Sequence, residues 1–146
     1  MSTQLSLSQI LTYFSGQIHC SQIVLGQWAE ELGLDIETAR MLAAPFGGGG
    51  FRGDMCGAVA GALMAIGLRY GHSELGDEDG NEILKAKVAE FQERFIQREG
   101  SIVCRELTGY NFSEDGAFEQ AKEEGVISSK CPHCINSALA ILDEIM

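Results

Sequence analysis

The sequence predicts an all-α fold: a single-domain multi-helix bundle over residues 1–146, with one helix buried at its centre. Prolines are rare, with only Pro45 and Pro132 in 146 residues, so long stretches can form helices without interruption. Residues 55–68 are apolar on nearly every side, which is typical of a buried helix. Glycines punctuate the remaining helical stretches, as expected where helices end.

Three helices are predicted in the N-terminal third of the chain. Residues 6–15 predict the first and residues 20–32 the second, and a glycine follows each of them. Asp35 is expected to cap a third, short helix that runs to Ala44, because its carboxylate can accept hydrogen bonds from free helical N–H groups. Pro45 then breaks that helix.

A glycine-rich segment separates these helices from the central one. Residues 46–54 (FGGGGFRGD) are predicted to be irregular, since four consecutive glycines lose much backbone entropy on ordering. Asp54 is expected to cap the central helix, residues 55–70. Gly57 and Gly61 lie one turn apart on that helix, so a neighbouring helix can pack closely against it.

Three glycines are candidate cofactor-binding residues: Gly49, Gly50 and Gly57. Backbone N–H groups without flanking side chains can hold an anion. No G-K-[ST] sequence follows the glycine run, so a nucleotide-binding loop is not predicted.

The C-terminal half is predicted to hold an acidic loop, residues 71–80, and four further helices. Apolar residues recur there with helical spacing. The predicted helices are residues 82–100, 101–108 and 113–124, and a last helix that follows Ser128 or Ser129.

The formal net charge of −11 excludes several classes of partner. Nucleic acids and anionic membranes are bound through clustered lysine and arginine, so we predict no nucleic-acid binding and no membrane insertion. The longest strongly apolar stretch, residues 55–68, is shorter than the roughly 20 residues that a membrane span needs. No lysine or arginine precedes Glu30, the first charged residue, so no signal peptide is predicted. We therefore expect a cytoplasmic protein.

Five cysteines are the most informative residues of the chain, and four of them share a predicted setting. In a reducing compartment they are not expected to form structural disulfides. Cys20, Cys56, Cys104 and Cys134 all fall at or near predicted helix starts. Free N–H groups and the helix dipole stabilise a thiolate there. Packing, redox chemistry and metal binding all remain open as roles for these residues.

The sharpest local motif is the CPHC sequence from Cys131 to Cys134. Two thiols at this spacing are typical of a dithiol pair that cycles between thiols and a disulfide, with His133 tuning the thiolate. Cys131 and Cys134 are therefore candidate catalytic residues. No βαβ pattern surrounds them, so a thioredoxin fold is not predicted.

The cysteine pattern along the chain resembles the redox-active family named C_GCAxxG_C_C, whose central motif is CGAxxG. Residues 56–61 read CGAVAG, and residues 104–107 read CREL, which is also typical of that family. The resemblance implies a helical fold and four family cysteines: Cys20, Cys56, Cys104 and one of Cys131 or Cys134, of which we favour Cys134. Related domains accompany cytochrome-type electron carriers, and that implication favours an iron–sulfur cofactor over zinc.

Three functional hypotheses follow from the sequence. The first is a thiolate site that binds an iron–sulfur cluster or another metal for electron transfer or sensing, with Cys20, Cys56, Cys104 and Cys134 as its ligands. The second is a metal-free dithiol oxidoreductase or redox sensor that uses Cys131 and Cys134. The third is a helical interaction module whose cysteines only pack. Under the first two we expect a redox partner protein, and we consider a homodimer as a further partner.

Overall fold

The computed structural model describes residues 3–146, and over that range the fold is all-helical, as predicted. The β-structure of this range is limited to an isolated antiparallel bridge between Met55 and Val103. No helix in residues 3–146 has the length and apolar character needed to cross a membrane. The helices are α1 (Leu7–Ser15), α2 (Cys20–Ala29), α3 (Ile36–Ala43), α4 (Gly57–Tyr70), α5 (Glu78–Glu99), α6 (Cys104–Thr108), α7 (Ala117–Glu123) and α8 (Val126–Ile145).

Helix α4 is the buried centre of the bundle, as predicted. Residues 57–62 are all buried. Helix α2 crosses α4 closely, because a Cβ on Gly61 would collide with the carbonyl oxygen of Ser21. The Ser21 hydroxyl in turn donates to the carbonyl of Ala43 at 2.7 Å, which fixes the end of α3 against the start of α2. The glycine spacing therefore brings two helix backbones together.

The predicted start of α4 is wrong by two residues. Cys56, not Asp54, occupies the position that precedes the first helical residue. Asp54 is held outside the helix because its carboxylate pairs with Arg105 at 2.9 Å and its carbonyl accepts from the N–H of Cys104 at 2.6 Å.

The glycine-rich segment forms two tight turns and no regular α-helix. A short 3₁₀ helix over Ala44–Phe46 follows α3, and the next turn, Gly49–Gly53, closes with a hydrogen bond of 3.0 Å from the N–H of Asp54 to the carbonyl of Gly49. Residues 48–51 all have left-handed backbone angles, with φ between 58° and 69°. Only glycine adopts such angles readily, so the glycine run is needed to build this turn.

Helices α5 and α8 both begin earlier than predicted. The Asp77 carboxylate accepts from the N–H of Gly80 at 2.8 Å and starts α5 at Glu78. Helix α8 starts at Val126, directly after Gly125, so Ser128 and Ser129 lie inside the helix and do not cap it. Pro132 is the seventh residue of α8, so it lies inside the helix and cannot donate the hydrogen bond that a residue there would make to the carbonyl of Ser128.

The two short helices are shorter than predicted because side chains hold the preceding residues in turns. The hydroxyl of Ser101 accepts from the N–H of Val103 at 2.9 Å, which holds residues 101–103 in a local turn that ends at Val103, whose backbone is extended. The amide oxygen of Asn111 accepts from the N–H of Ser113 at 3.0 Å and forms a turn in place of a helix start. Such local bonds compete with helix formation.

Candidate functional site

All five cysteines line one cavity of about 360 Å³, which we call the cysteine cavity. None of them forms a disulfide. Cys56, Cys104 and Cys134 are buried, and Cys20 and Cys131 are half-buried. Apolar side chains from α1, from α6 to α8 and from the loop before α7 complete the wall: Leu11, Phe14, Leu107, Phe112, Phe118 and Ile127.

Cys20 and Cys56 meet where the starts of α2 and α4 cross. Gly57 makes this possible, because a Cβ at that position would overlap the sulfur of Cys20. The second residue of the CGAVAG motif therefore provides the space that the first family cysteine occupies. A larger residue would push one of the two sulfur-bearing helices outwards.

Cys56 and Cys104 are brought side by side by the Met55–Val103 bridge. The N–H of Cys56 donates to the carbonyl of Ile102 at 2.8 Å, and the N–H of Cys104 donates to the carbonyl of Asp54 at 2.6 Å. These two bonds fix the backbone of both cysteines. The left-handed turn lies directly beneath, because a Cβ on Gly49 would approach the Cβ of Cys104 to 2.8 Å.

Cys131 and Cys134 reach the cavity from the interior of α8. The prediction that Cys134 lies at a helix start is wrong, because α8 begins eight residues earlier. The free N–H groups of its first turn are therefore remote from this thiol. The CPHC motif supplies two thiols one helical turn apart on the face of α8 that borders the cavity.

Cys56 differs from the other four cysteines in the direction of its pKa shift. Its pKa lies below the usual value for a cysteine, chiefly because the Cys134 thiol hydrogen-bonds to its sulfur. The N–H groups of Ala58 and Val59, in the first turn of α4, lower the pKa further, and together with Cys134 they outweigh the effect of burial. The helix start therefore contributes to the lowered pKa of this cysteine, although the Cys134 thiol contributes more.

The other four thiols are held protonated, which corrects the expectation for Cys20 and Cys104. Burial raises the pKa of Cys20 to about 11 and that of Cys104 to about 12. Both lie at helix starts, but removal from water disfavours their charged forms more than the helix favours them. Burial also raises the pKa of Cys131, and the pKa of Cys134 is raised first by its hydrogen bond to Cys56 and then by burial.

A buried carboxylate that the sequence analysis did not single out lies beside Cys134. The side chain of Glu99, the last residue of α5, has no solvent exposure. Its Oε1 accepts from the Lys130 amine at 3.0 Å and from the Cys134 thiol at 3.8 Å. Its Oε2 accepts from the Ser137 hydroxyl at 2.6 Å and lies 2.7 Å from Nδ1 of His133.

The sequence does carry a signal for this cluster. Residues 130, 133, 134 and 137 of α8 are all polar or sulfur-bearing and recur at the spacing that marks one helical face. A polar face on an otherwise apolar terminal helix implies a polar partner on the helix that packs against it. The identity of that partner depends on how α5 and α8 pack, which the pattern alone does not give.

The two histidines next to cysteines have different surroundings. His19 lines the cysteine cavity, its ring lies edge-on to Phe51 with centroids 5.3 Å apart, and burial lowers its pKa. His133 is 68% exposed, does not line the cavity, and has its Nδ1 2.7 Å from Oε2 of Glu99. The uncharged form of His19 is therefore favoured.

The three candidate cofactor-binding glycines do not lie together. Gly57 lines the cysteine cavity, whereas Gly49 is buried beneath Cys104 and Gly50 is exposed. From the glycine run, Gly48 is the residue that reaches the cavity wall. Its backbone N–H also lowers the pKa of Cys20, against the larger effect of burial.

The charges that line the cavity are opposite in sign to the protein as a whole. No aspartate or glutamate in residues 3–146 lines it, although the chain has 21 acidic residues. Lys122 and Lys130 are the charged residues of its wall within that range. Lys130 is paired with Glu99, whereas Lys122 is exposed and makes no ion pair with any residue between 3 and 146.

The thiols have the chemistry of soft-metal ligands, but their arrangement does not form a site for a single ion. In residues 3–146, no group of three or more histidine, cysteine, aspartate or glutamate side chains is placed to hold a metal ion. A single zinc ion needs four ligands at tetrahedral positions. The side chains as positioned therefore do not fit one ion.

The structure defines a helical bundle in which all five cysteines line one cavity. Comparison with known families agrees with this. Residues 18–145 match the family described as "Putative redox-active protein (C_GCAxxG_C_C)", and the chain belongs to it. No curated protein and no solved structure matches the chain.

Proposed function

We propose that this protein exchanges disulfides with small molecules, using Cys56 as the nucleophile and Cys134 as the resolving thiol. The observation that carries the proposal is that Cys56 and Cys134 line the same cavity and shift each other's pKa in opposite directions. The Cys134 thiol lowers the pKa of Cys56, and Cys56 raises the pKa of Cys134, so Cys56 is the member of the pair that loses its proton more readily. A thiolate with a protonated neighbour is the arrangement from which disulfide exchange starts.

The reaction transfers two electrons and two hydrogens in two steps. The Cys56 thiolate attacks one sulfur of a disulfide R–S–S–R, which forms a Cys56–S–S–R mixed disulfide and releases R–S⁻. Cys134 loses its proton and attacks the Cys56 sulfur, which releases the second R–S⁻ and leaves a Cys56–Cys134 disulfide. One released thiolate takes up the proton lost by Cys134, and the other takes up from water a proton equivalent to the one that Cys56 had already released. The small disulfide is reduced and the protein is oxidised.

The cavity limits the substrate to a small molecule. Cys56 is only 7% exposed and is reached through the cysteine cavity. The volume of this cavity, about 360 Å³, lies at the lower end of the range for small-molecule sites. A disulfide in a folded partner could not approach a sulfur at this depth. A partner protein, or a second copy of the chain in the cytoplasm, would therefore exchange electrons through a small carrier.

The proposed pair differs from the pair that the CPHC motif predicts. Cys131 and Cys134 both have a raised pKa, so neither is activated to attack first. The Cys131–Cys134 pair stays the competing prediction. Mapping which two cysteines form the disulfide separates this pair from the Cys56–Cys134 pair.

The experiment treats the reduced protein with 2-hydroxyethyl disulfide, blocks free thiols with iodoacetamide and maps the cysteine peptides by mass spectrometry. We expect a Cys56–Cys134 disulfide in the wild type and a mixed disulfide on Cys56 in Cys134→Ser. Cys56→Ser should form neither product, and Cys131→Ser, the matched control, should behave as the wild type. A Cys131–Cys134 disulfide as the main product would contradict the proposed pair.

A thiolate-bound iron–sulfur cluster is a second candidate function, supported by the convergence of five thiols on one cavity. A dithiol pair would use only two of these five thiols. Iron–sulfur clusters are held by several cysteine thiolates that can be far apart in the sequence. The ligands would be the thiols of Cys20, Cys56 and Cys104 with one thiol of α8. Visible charge-transfer absorption and stoichiometric iron in protein purified without oxygen would establish it. Colourless, iron-free protein would exclude it.

A further inference from the structure

The cysteine cavity has a mouth formed by residues other than its cysteines. Within residues 3–146, the lining residues that are exposed, and therefore mark this mouth, are Ser15, Gln17, Phe118, Lys122 and Ser128. Cys56, Cys104 and Cys134 line the same cavity but are buried, so they lie deeper in it. The proposed disulfide exchange uses two of these buried thiols and leaves the mouth without a role.

Helix α7 presents an aromatic ring and a cation side by side at this mouth. Phe118 and Lys122 are four residues apart on α7, so they lie one turn apart on the face that borders the cavity. The Phe118 ring lies edge-on to that of Phe112, with centroids 5.6 Å apart, and 45% of Phe118 is exposed. An apolar ligand that covers this ring would remove its surface from water, which is favourable.

The cavity wall beyond the mouth is rich in apolar side chains. Half-buried apolar residues come from α1, α6 and α8: Leu11, Phe14, Leu107 and Ile127. An apolar group gains free energy on entering such a space, whereas a charged group would lose its hydration there. A ligand that has both should therefore place its apolar body inside and its charged end at the mouth.

The charge of the mouth selects the sign and number of charges on the ligand. Lys122 makes no ion pair within residues 3–146, whereas Lys130 pairs with Glu99 at 3.0 Å. No aspartate or glutamate of that range lines the cavity. One unpaired ammonium group balances one negative charge. A dianion such as a phosphate monoester would keep an excess negative charge against a protein of net charge −11, so a carboxylate is the better match.

We propose that the mouth of the cysteine cavity binds small monocarboxylates that have an apolar body. Lys122 attracts the carboxylate, and Phe118 contacts the body as it enters the cavity. This binding site goes beyond the proposed disulfide exchange and does not depend on it, because binding needs no reactive thiol. The probe is 4-phenylbutyrate, which contains no sulfur. The alcohol 4-phenylbutan-1-ol and the amine 4-phenylbutylamine keep the same apolar body with a neutral and a positive end.

The experiment titrates each compound into the reduced, isotope-labelled protein and follows the backbone amide shifts by NMR, which gives both the affinity and the location of binding. The variants are Lys122→Ala and Phe118→Ala. Lys85→Ala and Ile83→Ala are the matched controls, because they remove an exposed lysine and an exposed apolar side chain of α5 that do not line the cavity.

We expect 4-phenylbutyrate to shift the amides of cavity-lining residues and to bind more tightly than the amine. The net charge of −11 favours the amine, so a preference for the carboxylate reports the local charge at the mouth. Lys122→Ala should weaken the carboxylate about two- to fivefold, as for exposed ion pairs, and leave the alcohol unchanged. Phe118→Ala should weaken the carboxylate and the alcohol alike, by about two- to tenfold, as for aromatic contacts. Both controls should bind as the wild type does.

Three results would overturn the proposal: no binding of 4-phenylbutyrate, tighter binding of the amine, or shifts confined to residues away from the cavity. Equal affinity of the carboxylate for the wild type and Lys122→Ala would also overturn it, because the charge at the mouth would then not recognise the ligand. None of these results bears on whether Cys56 reacts with disulfides, so the failure of this proposal and that of the exchange function are distinguishable.

Discussion

The sulfur of Cys20 lies against the backbone of Gly57, in the space that a Cβ on Gly57 would fill. This contact joins the first family cysteine to the CGAVAG motif and sets the distance between α2 and α4. The glycine is therefore needed for the cavity as well as for the close crossing of the two helices.

The first prediction is that Gly57→Ala destabilises the protein, although alanine is the better helix former. The added methyl group must displace Cys20 or separate α2 from α4, and such overpacking typically costs about 1–3 kcal/mol. Gly67→Ala is the matched control on the same helix, because nothing lies within 4 Å of a Cβ there. It should be neutral or stabilising by up to about 1 kcal/mol. Urea denaturation of both variants measures the difference, and equal stabilities would refute the packing argument.

The second prediction concerns the order in which the thiols react with iodoacetamide as the pH rises. Only thiolates react, so the thiol with the lowered pKa, Cys56, should be alkylated first, near neutral pH. Cys20 and Cys104, with a pKa raised to about 11 and to about 12, should react only in strongly alkaline solution. Peptide mapping after short exposures at each pH gives the order. Cys134→Ser should shift the alkylation of Cys56 to higher pH, because the largest cause of its lowered pKa is then weakened.

A structural feature of this protein can be predicted from the sequence when the interactions that cause it join residues close in the chain. The cap at Asp35, whose carboxylate accepts from the N–H of Thr38 at 3.1 Å, acts within one turn and was predicted correctly. The cap assigned to Asp54 was wrong, because a partner 51 residues away, Arg105, competes for its carboxylate.

The candidate site shows the same limit. The cysteines and Gly57 are visible as a motif, but their meeting in one cavity depends on the bridge between Met55 and Val103 and on the packing of α8. The pKa directions of Cys20 and Cys104 were mispredicted because burial, a property of the whole fold, outweighs the local effect of a helix start. Glu99 was missed because its partners belong to another helix.

The third prediction is a pH dependence of stability that originates at Glu99. Burial alone would raise the pKa of this carboxyl group, but hydrogen bonds from Ser137, Lys130 and His133 outweigh it and the pKa is lowered. A carboxylate whose folded pKa lies below the unfolded value stabilises the fold above the unfolded pKa. That contribution is lost as the pH falls through the folded pKa.

Urea denaturation between neutral and acidic pH checks this prediction. Glu99→Gln should be less stable than the wild type at neutral pH, and the gap should narrow as the pH is lowered past the usual carboxyl range. Glu93→Gln, which removes an exposed carboxylate from the same helix, should follow the wild-type pH profile closely. A constant gap between wild type and Glu99→Gln at all pH values would show that the charge of Glu99 is not the cause.

The last prediction is that the cysteine cavity selects disulfides by charge. The charged side chains of its wall are Lys122 and Lys130, of which Lys130 is neutralised by Glu99, so Lys122 supplies the local positive field. Three small disulfides of similar size test this: anionic 3,3′-dithiodipropionate, neutral 2-hydroxyethyl disulfide and cationic cystamine. We expect the anionic reagent to react with Cys56 faster than cystamine does, because Lys122 attracts anions to the cavity. The net charge of −11 on the whole protein should not reverse this order, because salt screens distant charges more than near ones.

Lys122→Ala should slow the anionic reagent several-fold and leave the neutral one unchanged, since one cation near a site changes local ion concentration by electrostatic attraction. Lys85→Ala removes the same charge from α5 at a residue that does not line the cavity, and it should leave all three rates unchanged. The difference between the reagents should shrink as salt is added, because the lysine at the cavity mouth is exposed and its field is screened. If cystamine reacts fastest in the wild type, the overall acidity of the protein governs access and the lysine of the cavity wall does not.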